Sequence, residues 1–166
     1  MIPAQNCKTI IMPPVVNVAA TTNEMSFDRT GYDYCVIDIL VGTGSTQTSA
    51  LNSIIISESD TLTTPAAMED IPALSGSTTT STSYGFAIPA ASATSAGLLH
   101  TIQFDLKPRK KYIGLSLLGS AAGGTAVIGA IAHLYRGGET PISAADRDGV
   151  NLYDTAASGC VTVVTG

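Results

Sequence analysis

The chain has no tryptophan, and Phe, Tyr and Trp together make up only 5% of its 166 residues. A stacked-aromatic platform for a sugar ring has little to build on. Charge is scarce as well. Asp, Glu, Lys and Arg are 13% of the chain, about half the share of an ordinary soluble domain. The net charge of −5 excludes a general nucleic-acid binder, which needs a basic face to displace counterions. There are three cysteines, Cys7, Cys35 and Cys160. Their spacing suits no metal, and their odd number does not suit a disulfide-stapled secreted scaffold. The N-terminus has no basic segment leading into an apolar one, because Pro13 and Pro14 interrupt Ile10, Ile11 and Met12. No signal peptide is expected.

Catalytic signatures are missing too. No nucleophile elbow, phosphate loop, dinucleotide fingerprint or zinc-protease helix occurs in the sequence. Residues Asp146 to Asn151 resemble a calcium loop but lack its acidic final ligand. His100 and His133 fall in predicted strands and read as sheet residues rather than ligands or bases. The acids Glu58, Asp60, Glu69 and Asp70 read as loop charge. Neither an enzyme nor a resident metal or cofactor is expected.

What the chain does have is alternation. Between Gly31 and Gly42 run ten residues rich in β-branched and aromatic side chains, which suit a pleated, half-buried surface. Cys35, Ile37, Ile39 and Val41 share one face, with Cys35 a buried free thiol. Tyr34, Val36, Asp38 and Leu40 share the other. Further strands are expected over Val15–Thr22, Glu24–Phe27, Ala50–Ser57, Leu98–Leu106, Lys111–Leu118 and Thr125–Leu134, with short ones near Met68–Ile71 and Tyr84–Ile88. Low charge, abundant Ser and Thr, and Gly-punctuated apolar runs point to an all-β, antiparallel sandwich or barrel with at most one or two short helical turns.

Residues 1–14 are expected to form an extended arm, 15–140 the β-domain, and 141–166 a short helix and a tail. Residues 75–83, rich in Ser and Thr, read as a flexible loop or an exposed edge. Tyr112–Tyr135 carries no formal charge and includes Gly119 and Gly123 in small-xxx-small spacing. Its five glycines favour two strands joined by a loop over a membrane helix.

Positive charge is unevenly placed. No Lys or Arg lies between Arg29 and Lys107, and then Lys107, Arg109, Lys110 and Lys111 crowd around Pro108. The short connection predicts a hairpin between the strands on either side. These four residues are candidate contacts with an acidic partner surface. Ile2, Ile10, Ile11 and Met12 of the arm are candidate apolar contacts.

The succession of pieces resembles the head decoration, or cement, proteins of tailed phages. The pieces are Gly31–Thr43, Leu51 to Asp60, Asp70 to Pro72, Phe104 to Leu106, Arg109 to Ile113, Ala130–Leu134 and Thr140 to Arg147. The Ser/Thr loop and the tail after Asp148 depart from that pattern. The resemblance implies a jelly-roll-like sandwich on the outer face of a virion. It further implies synthesis in the host cytoplasm, and the major capsid protein lattice and further copies of itself (a dimer or trimer) as partners. Nucleic acid and membrane are not expected as partners. The alternative is a tail or fibre module that binds a receptor or glycan.

Overall fold

The structure is a computed structural model. It describes residues 7–17, 21–42, 51–78, 83–88, 98–119, 126–136 and 161–165. Its strands are β1 (Cys7–Asn17), β2 (Thr22–Asp28), β3 (Tyr34–Gly42), β4 (Leu51–Ser59), β5 (Glu69–Asp70), β6 (Gly76–Ser77), β7 (Phe86–Ala87), β8 (Leu98–Asp105), β9 (Tyr112–Gly119), β10 (Ala126–Tyr135) and β11 (Val161–Thr165). Sheet A has the order β1-β10-β3-β8-β11 and sheet B the order β2-β9-β4-β6-β7, with β5 also on β4. The two sheets share one core, in a jelly-roll-like sandwich. Pairing is antiparallel except for β11 on β8 and β7 on β6. Two 3-10 turns, Pro65–Ala67 and Pro72–Leu74, each begin on a proline, whose missing N–H has no partner to lose there.

The apolar faces meet as the alternation predicts. In β3, Cys35, Ile37 and Ile39 are fully buried and Leu40 is exposed. Leu98, His100, Ile102 and Phe104 of β8 point inward, as do Ile113, Leu115 and Leu117 of β9. In β10 the inward set is Ile128, Ala130, Ala132 and Leu134, so Val127, Gly129, Ile131 and His133 form the outer one. Leu51 and Ile54 both reach the core because the register of β4 shifts between Leu51 and Ser53, a bulge that re-aims the side chains.

The uncharged stretch Tyr112–Tyr135 contains β9 and β10. No helix of the described residues is long and apolar enough to cross a membrane.

Four expectations are corrected. The arm is one. From Cys7 onward it is strand β1, paired with β10, while Ile2 lies outside the described residues. Prolines cannot donate to a ladder, but an edge strand with a register shift accepts them. The shift falls between Met12 and Val15. Across the ladder Gly129 leaves room for Pro14, where a Cβ would come within 3.3 Å. The first predicted strand is also displaced, since β1 ends at Asn17 and β2 starts at Thr22.

The hairpin is the third. β8 pairs with β3 and β11 in sheet A, whereas β9 pairs with β2 and β4 in sheet B. The basic turn is therefore a corner between the sheets. The Ser/Thr stretch is the fourth. Ser75, Gly76 and Ser77 are buried. The Ser75 hydroxyl donates to the Ile71 carbonyl at 2.9 Å and accepts the Ile56 N–H at 3.0 Å, so hydroxyls stand in for ladder partners. The predicted helix near Ser143 lies outside the described residues.

His100 is the one ionisable group in the inward set of β8. It is 1% exposed, and neither ring nitrogen has a hydrogen-bond partner. Burial pushes it down to about 4 from its usual 6.5. The unfolded chain thus binds the proton first as pH falls. The neutral ring's contribution to stability is complete above pH 6.5 and is lost towards pH 4, on the order of 3 kcal/mol. His100→Leu is expected to remove that slope. The check is the unfolding midpoint in denaturant at pH 7, 5.5 and 4.5. Parallel curves for wild type and variant would contradict it.

Candidate functional site

The corner that carries the basic residues is built from both sheets. β8 ends at Asp105, whose carboxylate accepts the Lys107 N–H at 2.8 Å. Leu106 is fully buried and gives its N–H to the Asp33 carbonyl at 2.8 Å. The Arg109 N–H returns to the Leu106 carbonyl at 3.0 Å, closing a tight turn around the exposed Pro108.

A second turn faces it. The Tyr32 N–H donates to the Arg29 carbonyl at 3.0 Å, and Gly31 sits at φ 85°, a conformation that favours glycine. The Arg29 side chain spans the two turns. Its Nε donates to the Lys110 carbonyl at 3.0 Å, and its guanidinium also bonds the Arg109 carbonyl. The Arg29 N–H meets the Lys111 carbonyl at 3.0 Å. One part-buried cation thus satisfies carbonyls that the corner would otherwise leave open.

Acids from three other segments surround this corner. Glu58 at the end of β4 accepts the Lys110 N–H at 3.0 Å, and Glu69 of β5 pairs with the Lys110 ammonium. Glu58 and Glu69 face each other in the β4–β5 register, so both reach the same lysine. Asp28, at the end of β2, lies 3.7 Å from the Lys111 ammonium, which also sits 5.0 Å from the Tyr112 ring centre. The hydrogen bond between Lys110 and Glu69 pushes the lysine up and the carboxyl down from their ordinary values. Tyr112 first and then Asp28 push Lys111 up. Thr30, by hydrogen bonding, holds the Asp28 carboxyl below the usual range, with a smaller contribution from Lys111.

The four predicted cations are together, but they are not equivalent. Lys110 and Lys111 have acidic partners within the chain. Lys107 is exposed, and Arg109 is half-buried with its Nε lacking an acceptor. The apolar candidates separate. Met12 is in the core, Ile10 packs against it half-buried, and Ile11 is 63% exposed. Met12 and Ile11 cannot act on the same surface, because neighbours along a strand point to opposite faces.

Sequence reasoning missed Arg29, Asp28, Glu58 and Glu69 as parts of one site. The available signal was charge: a basic cluster in an acidic chain attracts its own acids. Among the described residues no group of His, Cys, Asp and Glu could hold a metal ion.

No family model matches the chain, and no curated protein does. Among solved structures, one titled "Structure of infectious bursal disease virus Gx strain" is similar at 13% identity with a TM-score of 0.29. The match covers 81% of this chain and 35% of that one, so the chain spans about a third of that protein's length. A likeness of this extent identifies neither a family nor a function.

Arg29→Ala is expected to destabilise the fold by roughly 1–3 kcal/mol, since it strips hydrogen bonds to a charged donor from two carbonyls. Lys107→Glu, at an exposed position, is expected to stay within about 0.5 kcal/mol of wild type. Urea unfolding of both variants checks this. Equal midpoints would show that Arg29 does not brace the corner.

Proposed function

We propose that the protein is a non-enzymatic structural component of a phage virion, a cement protein that binds the outer surface of the assembled capsid and stabilises it. One observation carries the reading. The pieces of sequence that resemble tailed-phage decoration proteins fall, in order, on the framework of the sandwich. Gly31–Thr43 contains β3, Leu51 to Asp60 contains β4, Asp70 to Pro72 joins β5 to the second 3-10 turn, Phe104 to Leu106 ends β8, Arg109 to Ile113 forms the corner, and Ala130–Leu134 lies in β10. The seventh piece, Thr140 to Arg147, lies outside the described residues.

Such a function needs interface area and no reacting group. A protein that binds only the assembled lattice stabilises it by mass action. Its partners are the major capsid protein lattice and further copies of itself, since a multimer on a symmetric lattice gains by avidity.

The corner offers Lys107 and Arg109 to such a partner, while Lys110 and Lys111 hold the corner itself. An exposed ion pair contributes only about 0.2–1 kcal/mol. Lys107→Glu is therefore expected to weaken binding by up to about fivefold and to flatten its salt dependence. Co-sedimentation with undecorated cognate capsids, at low and high salt, measures both. If wild-type protein does not sediment with the capsids and instead binds host surface glycan, the tail or fibre reading replaces this one. If binding is tight and Lys107→Glu leaves it unchanged, the corner is not a contact.

A further inference from the structure

The outer faces of the two sheets differ. On sheet B, Pro65 and Met68 lie over Gly114 and Ser57, where a Cβ on Gly114 would come within 3.1 Å of Pro65 and 2.9 Å of Met68. On sheet A no described segment plays that part. Of the five large apolar side chains exposed among the described residues, three lie in the outer rows of sheet A: Ile11 at 63%, Leu40 at 52% and Val127 at 42%. In the outer rows Ile11 pairs with Ile131, and Leu40 lies between Gly129 and Leu99. The polar groups of this face pair with each other. Thr101 donates to Asp38 at 2.6 Å, the Tyr34 hydroxyl to Gln103 at 3.1 Å, and Thr9 and His133 lie 3.2 Å apart.

Topology limits what can lie there. β10 and β8 are both antiparallel to β3, and β11 is parallel to β8. β10 and β11 therefore run the same way in one sheet, with β3 and β8 between them. The chain that joins them has to cross the sheet.

Its hand follows from L-residue stereochemistry. In a strand viewed running upward, a residue whose side chain faces the viewer points its N–H and C=O to the right. Tyr135 belongs to the outer set of β10, and its carbonyl accepts the Asp33 N–H at 2.9 Å. Seen from outside, β3 is thus to the right of β10. The inward Leu106 gives its N–H to the Asp33 carbonyl, which places β3 to the left of β8 and agrees. β11 is then to the right of β10. A crossover passing in front of the outer face is right-handed, the hand found in about 98% of such connections. The inner face is filled by sheet B.

We infer that the outer face of sheet A is the docking surface for residues 137–160 of the same chain. The crossing needs a return of about 20 Å along the strands and about 14 Å across three strand spacings. The 24 residues from 137 to 160 can reach about 80 Å. They include Ile142, Val150, Leu152 and Tyr153, apolar side chains to set against Leu40, Leu99, Ile131 and Val127.

The test is photo-crosslinking of the full chain with p-benzoylphenylalanine at position 40, read by peptide mass spectrometry. A 1:1 mixture of ordinary and nitrogen-15-labelled protein separates links within a chain from links between chains. Position 127 serves as an independent second site, and exposed Leu62 as the control. The expected result is links from 40 and 127 to peptides of residues 137–160, within one chain and at least fivefold above the yield at 62. Mixed-isotope links would assign the face to a second copy. Yields equal to the control would leave it open to solvent, and links only to other segments would assign it to those segments. Each of these results overturns the inference.

Discussion

The constraint on which this molecule depends is that its strands each have one dry face, and dry faces have to meet. Burying one Ile, Leu or Phe side chain contributes about 1.5–3 kcal/mol, more than an exposed ion pair at about 0.2–1 kcal/mol. The inward sets of β3, β8, β9 and β10 therefore decide the architecture, and the charges adapt to it. The corner at residues 106–111 follows from this. The chain leaves sheet A with Leu106 buried and enters sheet B with Ile113 buried. Arg29 satisfies the carbonyls exposed between them.

The same ordering bears on function. A chain with few charges, two of whose clustered lysines are held by its own acids, has little electrostatic reach. What it offers a partner is surface area, edges and the few cations left over, which is what the proposed lattice-binding role would use. The edges are guarded in part. Pro13 and Pro14 lie in β1, at the rim of sheet A, where missing N–H groups discourage another strand from pairing.

Sequence alone made the central strands legible because period-two alternation is a local property, and Cys35, Ile37, Ile39 and Val41 lie within seven residues. β1 was hidden because its two prolines read as a break, and only the partner strand, with Gly129 opposite Pro14, shows why they fit. The pairing of β8 and β9 was hidden because a short connection joins neighbours within a sheet and across a sandwich equally well. Of the candidate site, the cations were visible as a cluster. Their acids were not, since Glu58 and Glu69 are 52 and 41 residues from Lys110 and only the β4–β5 register brings them together. The exposed hydroxyl-rich reading of residues 75–77 failed because a buried serine can stand in for a backbone partner, as Ser75 does for Ile56.

The proposed role of this sandwich is to stabilise an assembled capsid. The most direct measurement is the temperature at which undecorated cognate capsids open and release DNA, followed by dye fluorescence over a series of protein concentrations. Mass action predicts that the opening temperature rises with concentration and levels off when the lattice sites are filled. An opening temperature that stays flat across the series, with the protein itself still folded, would contradict the account.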